Sequence, residues 1–333
     1  MQRLDWEERA GFPSESGLPA SGDARPQFRA DENVRDGLAR IAAALIQPAV
    51  DRIENVGPHR AKDLHQVRVT SKRLRALLRL IRPVIARKFY SREDGRLKDL
   101  ARGLSSFRDT AVARQTLEKL AEHASRGQDA KALSRVTVHL EVQSPGANQV
   151  GSGSEQALKR AATSLVETNH SLQNMLVPAE DWKALGSGLQ RVYRRARQCM
   201  LRALAYDTDE AFHDWRKEVK FLYYQLQMLD PIWPKRLGTM TRRLNKLEDK
   251  LGSDHDLVVL GKRLARSPRK YGGKATVKRV TAFLDQRSER LRSEVQELAS
   301  EVFRDKPRKF GGRLEKRWRV WHRPPDEASR NQS

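Results

Sequence analysis

The chain has 333 residues, and 65 Lys+Arg against 42 Asp+Glu give it a formal net charge of +23. That length supports a substantial hydrophobic core. With 38% hydrophobic and 32% charged residues, it contains no apolar run of about 18 residues, which excludes a membrane-spanning helix. The opening residues lack the basic-then-apolar layout of a secretory signal. The single Cys199 excludes an internal disulfide and fits a reducing cytoplasm, the expected location. A positive charge this large favours polyanions as partners.

In chain order, residues 1–32 hold Pro13, Pro19 and Pro26, scattered Gly and Ser, and no sustained apolar period. They read as a disordered acidic leader with four basic and seven acidic residues. The positive charge therefore belongs to the body. From Asn33 onward the period becomes helical: Val34, Leu38, Ile41, Ala42, Leu45 and Ile46 recur at three- and four-residue steps. Comparable stripes are predicted over 63–89, 93–122, 129–142, 154–176, 181–205, 209–230, 235–265 and 274–303. Pro58, Pro83, Ser144-Pro145-Gly146, Pro178, Pro231, Pro234 and Pro268 punctuate them. Alternating β-branched segments are lacking, and residues 323–333 read as a disordered tail. The expected class is all-α.

An internal repeat organises these helices. His65-Gln-Val-Arg68-Val-Thr-Ser-Lys72-Arg-Leu74 lines up with His213-Asp-Trp-Arg216-Lys-Glu-Val-Lys220-Phe-Leu222, and the match runs on to Pro83 and Pro231. Leu97, Leu100, Leu104, Asp109, Val112 and Leu117 then match Leu244, Leu247, Leu251, Asp256, Val259 and Leu264. Two similar halves, about 33–176 and 181–322, suggest a pseudo-two-fold pair of helical bundles with a groove or channel where they meet.

At roughly 100° per residue, His65, Arg68, Lys72, Arg75, Arg79 and Arg82 fall within one arc of about 100°. Val67, Leu74, Leu77, Leu78, Ile81 and Val84 lie opposite. The second half places His213, Arg216, Lys220, Tyr223 and Gln227 on the corresponding arc, with Trp215, Leu222, Leu226 and Leu229 behind. A third basic face carries Arg191, Arg194, Arg195, Gln198 and Arg202. Like charges at helical spacing repel, and the first arc contains no carboxylate. A linear array of forked Arg donors, Lys point charges and His N–H groups suits a ligand with repeating negative charge.

The same residues resemble the CHAD domain family. The resemblance rests on His65-x-x-Arg68-x-x-x-Lys72-Arg73-Leu74-Arg75, on Phe212-His213-x-Trp215-Arg216-Lys217-x-Val219-Lys220, and on Leu251-Gly-x-Asp254-His255-Asp256-Leu257. Gly188-Leu189-x-Arg191-x-Tyr193-Arg194-Arg195-x-Arg197 and the terminal Lys306-Pro307…Phe310…Arg313-Leu314…Trp318…Trp321 are similar to the same family. It covers about residues 33–322. It implies two four-helix bundles related by a pseudo-dyad, a basic central pore, and non-catalytic binding of long-chain inorganic polyphosphate at polyphosphate granules. The chain departs from an even repeat where Phe221 and Tyr223 stand against Arg73 and Arg75, and where Arg108 stands against His255.

The first rank of binding candidates is His65, Arg68, Lys72, Arg75, Arg79, His213, Arg216 and Lys220. The second is Arg191, Arg194, Arg195, Lys246, Lys250 and His255, the last three sharing one predicted helix. Asp109 and Asp256 are expected to cap a helix or orient a cation, Cys199 to be a buried small residue, and Trp318 and Trp321 to pack the last helix. No P-loop, nucleophile elbow or zinc-ligand spacing is present, so neither a catalytic residue nor a metal or other cofactor is expected. RNA or DNA binding on the same surface is the second reading and metal-dependent phosphatase activity the third. Partial protonation of His65 and His213 would tighten polyanion binding near pH 6 relative to pH 8.

Overall fold

The structure, a computed structural model, describes residues 26–55, 60–104, 109–124, 127–142, 152–177 and 182–323. Every regular element among them is helical. The α-helices are α1 (Val34–Glu54), α2 (Arg60–Ile81), α3 (Arg87–Gly103), α4 (Asp109–His123), α5 (Gln128–Val142), α6 (Ser152–Gln173), α7 (Trp182–Tyr206), α8 (Asp209–Leu229), α9 (Pro234–Arg266), α10 (Lys274–Val302) and α11 (Pro307–Trp321). Short 3-10 turns occupy Asp230–Ile232 and Pro268–Tyr271.

Local chemistry accounts for the boundaries. Asn33 caps α1 by accepting the Asp36 N–H at 2.8 Å, and Thr208 caps α8 by accepting the Ala211 N–H at 3.2 Å. Pro234 and Pro307 stand in the first turns of α9 and α11, where a missing N–H costs nothing. α2 and α8 end two residues before Pro83 and Pro231, as the repeat requires. Gly272 and Gly273 have φ of 89° and 93°, the left-handed geometry that the turn into α10 needs.

Two predicted stripes divide differently. The 63–89 stripe stops at Ile81, and Arg87–Phe89 already belong to α3. The 93–122 stripe is two helices, α3 and α4, where the second half has the single 33-residue α9. The apolar period alone registers neither break, because Leu97, Leu104 and Leu117 are buried in each helix in turn.

α2 lies at the centre. Val67, Leu74, Leu77, Leu78, Leu80 and Ile81 are fully buried, and so is Ser71, whose hydroxyl donates to the Leu97 carbonyl at 2.7 Å. Gln225 of α8 donates to the Ala76 carbonyl at 3.0 Å. α7 crosses α2 so closely that a Cβ on Gly188 would lie 1.7 Å from the Leu80 carbonyl oxygen. The main hydrophobic cluster draws on both sequence halves, joining α1, α2, α3, α6, α7, α8 and α11 with the start of α9 and the end of α10. A second cluster joins α4 and α5 to the rest of α9 and α10. The cores therefore cross the boundary expected near residue 178.

The last residues of the segment read as a disordered leader are built into the body. Phe28 is buried and donates its N–H to the Met228 carbonyl at 2.9 Å. Arg40 pairs with Glu32 at 2.6 Å, and the Arg323 N–H donates to the Ala30 carbonyl at 2.7 Å. Phe28 had no apolar neighbours in sequence to mark it. Residues 1–25 and 324–333 lie outside the described residues.

Candidate polyanion-binding cleft

α2, α3, α4, α7, α8, α9 and the Pro268–Tyr271 turn enclose a cleft of about 1160 Å³. Thirteen Lys and Arg side chains line it, against three carboxylates, Asp214, Glu218 and Asp256. Nine of the fourteen sequence candidates meet there: Arg68, Lys72, Arg75 and Arg79 from α2, Arg195 from α7, His213, Arg216 and Lys220 from α8, and His255 from α9. Helical spacing explains the convergence. The α2 residues repeat at three and four positions along one edge, and α8 packs beside that edge.

The other five stand outside the lining. Arg191 and Arg194 are exposed on α7. Lys250 pairs with Glu294 of α10, and Lys246 is exposed. Five and nine residues separate these lysines from His255, rotations of about 140° and 180° at 100° per residue, so sharing a helix did not give them a shared face. His65 is half-buried near the start of α2. Tyr223 and Gln227, assigned to the second arc, bond to one another at 2.8 Å away from the cleft.

The cations are not bare. Glu218, only 3% exposed, bridges Arg79 of α2 at 3.3 Å and Arg195 of α7 at 2.8 Å. Asp94 of α3 holds Arg75 at 2.8 Å. Glu248 of α9, 4% exposed, receives Lys220 at 2.9 Å and Arg216 at 3.3 Å. Burial alone would raise the Glu248 pKa, but Lys220 and Arg216, with Lys72 behind them, hold it down at about 2. Arg79 also lies 3.9 Å over the Phe221 ring, with Arg75 at 5.5 Å from the same ring. The Phe that breaks the repeat is thus the platform for two guanidinium groups. A sequence reading of basic arcs missed Glu218, Glu248 and Asp94 because each acts across a helix interface. Glu218 alone could have been found, standing between Arg216 and Lys220 on a helix otherwise read as basic.

His213 and His255 stack with ring centroids 4.5 Å apart. Burial lowers both imidazole pKa values, and the flanking cations lower them further: Lys217 and Arg216 for His213, Arg216 and the other ring for His255, which falls to about 4. The lowered pKa of His255 keeps its ring neutral between pH 6 and 8 in the free protein, and the His213 pKa is shifted in the same direction. Asp254 is turned the other way, accepting from Ser288 and from Arg292 at 3.2 Å. Arg292 also grips Asp207 at 3.0 Å and Asp209 at 2.8 Å, tying the α7–α8 turn to α10. Asp256 lines the cleft, whereas the Asp109 side chain lies outside the described residues. Cys199 is buried as expected, although it borders the cleft; burial first, then Glu218, raises its thiol pKa. Trp318 is buried and packs on Trp182 at 5.8 Å.

No group of His, Cys, Asp and Glu among the described residues has a metal-binding arrangement. No described helix is long and apolar enough to cross a membrane. Residues 40–265 match the sequence model of the CHAD domain. The fold is similar to the crystal structure of the CHAD domain from the plant Ricinus communis, at a TM-score of 0.65 and 17% identity over 84% of this chain and 95% of that one. No curated protein matches the chain.

Proposed function

The chain belongs to the CHAD domain family, and on that premise we propose that it binds inorganic polyphosphate in the cleft between α2, α8 and α9 without transforming it, and that this attaches it to polyphosphate granules. The observation that carries the reading is the imbalance of the lining, thirteen cations to three carboxylates. Neutralising a linear polyanion with fixed cations releases its condensed counterions, so affinity should fall linearly in log–log form with salt. The repeat supports the view that the cleft is a channel between two halves related by a pseudo-dyad.

The state of the cleft carboxylates favours binding over catalysis. Glu218 and Asp214 are each engaged by cations, Asp214 by Lys217 at 2.6 Å. A phosphoryl-transfer site instead needs carboxylates directed at a metal. Nucleic acid fits less well because stacking platforms are scarce: the aromatic residues of the lining are Phe221 and Tyr271, both buried, and Arg79 covers Phe221.

The test is a calorimetric titration with polyphosphate of wild type and of Arg68→Gln with Lys72→Gln, at fixed salt. Loss of about 2 kcal/mol or more of affinity is expected for two charge-assisted contacts. Equal affinity would overturn the cleft as the site. Tighter binding of single-stranded RNA at matched charge would favour the nucleic-acid reading. Release of orthophosphate with Mg²⁺ or Mn²⁺ would overturn non-catalytic binding.

A further inference from the structure

The cleft has two separate cationic ends, and named contacts between antiparallel α8 and α9 give the distance between them. Lys220 meets Glu248 at 2.9 Å. One turn on, a Cβ on Gly252 would lie 3.3 Å from the Arg216 guanidinium. The His213 and His255 rings then stack at 4.5 Å, and Lys262 pairs with Asp209 at 3.0 Å. Beyond that level the lining continues through Arg263 and Arg266 to Lys270. Eleven residues of α8 from Lys220 to Asp209 and four more of α9 to Arg266 amount to ~22 Å at 1.5 Å per residue. The inner end holds the α2 cations and Arg195; the outer end holds Lys262, Arg263, Arg266 and Lys270. Between them stands the stacked imidazole pair.

The outer cations have a simpler explanation as partners of the α9 C-terminal dipole. That accounts for Arg263 and Arg266 in the last turn but not for Lys270, which comes from the following 3-10 turn and lines the same cleft. Tyr271, fixed under this end by the Arg263 Nε–H at 3.1 Å, holds that turn against α9. Arg266 and Lys270 also lie beyond residue 265, where the family match ends.

We infer that the α9 C-terminus and the Pro268–Tyr271 turn form a second phosphate-binding subsite, so that a polyphosphate chain long enough to span both ends is held at two points. This rests on the cleft being the polyphosphate site. The second contact is intramolecular once the first has formed, and its gain is set by effective concentration. A short oligophosphate engages the inner end alone, where the cations are denser.

The experiment compares tripolyphosphate with long-chain polyphosphate on wild type and on Arg266→Glu with Lys270→Glu. Both side chains are exposed, and Arg266→Gln with Lys270→Gln serves if charge reversal disturbs folding, judged by circular dichroism. The double variant should lose about tenfold or more of its long-chain affinity and keep its tripolyphosphate affinity within about twofold. Loss of both affinities by the same factor, or of neither, overturns the second subsite and leaves the cleft assignment standing. A wild-type protein that binds neither ligand overturns the cleft assignment itself.

Discussion

On α8, Arg216 and Lys220 both turn onto one carboxylate, Glu248, and Lys220 is left only 7% exposed. On α2, two ion pairs diverge: Arg75 goes to Asp94 of α3 and Arg79 to Glu218 of α8. Both helices carry the same His, Arg and Lys spacing. The position in the first half that corresponds to Glu248 is Ala101, so the acid that draws the α8 cations inward has no counterpart there. Arg216 and Lys220 thus clamp α8 to α9, whereas Arg75 and Arg79, which stand where α8 has Tyr223 and Gln227, tie α2 to α3 and α8. Duplicated sequence conserved the spacing of the charges, while the neighbouring helix decided what they do.

The largest effect that should separate the two helices is on stability. Glu248→Ala strands Arg216 and Lys220 in a buried site and is expected to cost about 3–5 kcal/mol in urea unfolding. Asp94→Ala, which removes a carboxylate more exposed than Glu248, should cost less, about 1 kcal/mol. Equal costs would break the comparison. Gly188→Ala tests the packing of α7, since Gly188 lets that helix touch the backbone of α2. The added methyl should destabilise by about 1–3 kcal/mol, because the atom in its way is a main-chain oxygen. Thermal unfolding within a degree of wild type would show that α7 can move aside.

Much of this fold was legible in the sequence, and the misses have physical causes. The cores of α1, α2 and α8 follow from their apolar periods, and Pro83 and Pro231 stop α2 and α8 in register. The α3–α4 break was not legible, since an apolar stripe continues across it. Within the site, seven cations and two histidines were found because i, i+3 and i+4 spacing on one helix survives folding. Lys246 and Lys250 failed that same rule when their separation from His255 was not turned into an angle. Glu248 and Asp94 meet their partners, and Arg266 and Lys270 join the cleft lining, only through tertiary packing, which no local pattern encodes.

The histidine pair offers the smallest and sharpest test, because it too belongs to one half: Arg108 occupies the position that corresponds to His255. Its folded-state pKa of about 4 lies below its ordinary value of 6.5. Between those values the unfolded chain binds the proton more readily, so stability falls as pH drops from 6.5 through 4. Allowing for solvent screening, His255→Gln should remove roughly 1–2 kcal/mol of that loss, read as a flatter dependence of urea midpoint on pH. A bound polyanion reverses the sign, since phosphate beside the rings favours the charged imidazole. Polyphosphate affinity should therefore rise below about pH 5, as the His255 ring begins to take up a proton on binding. Calorimetry in buffers of different ionisation enthalpy measures that uptake directly. An affinity that climbs already between pH 8 and 6, and does so equally in His255→Gln, would assign the proton to a group other than His255.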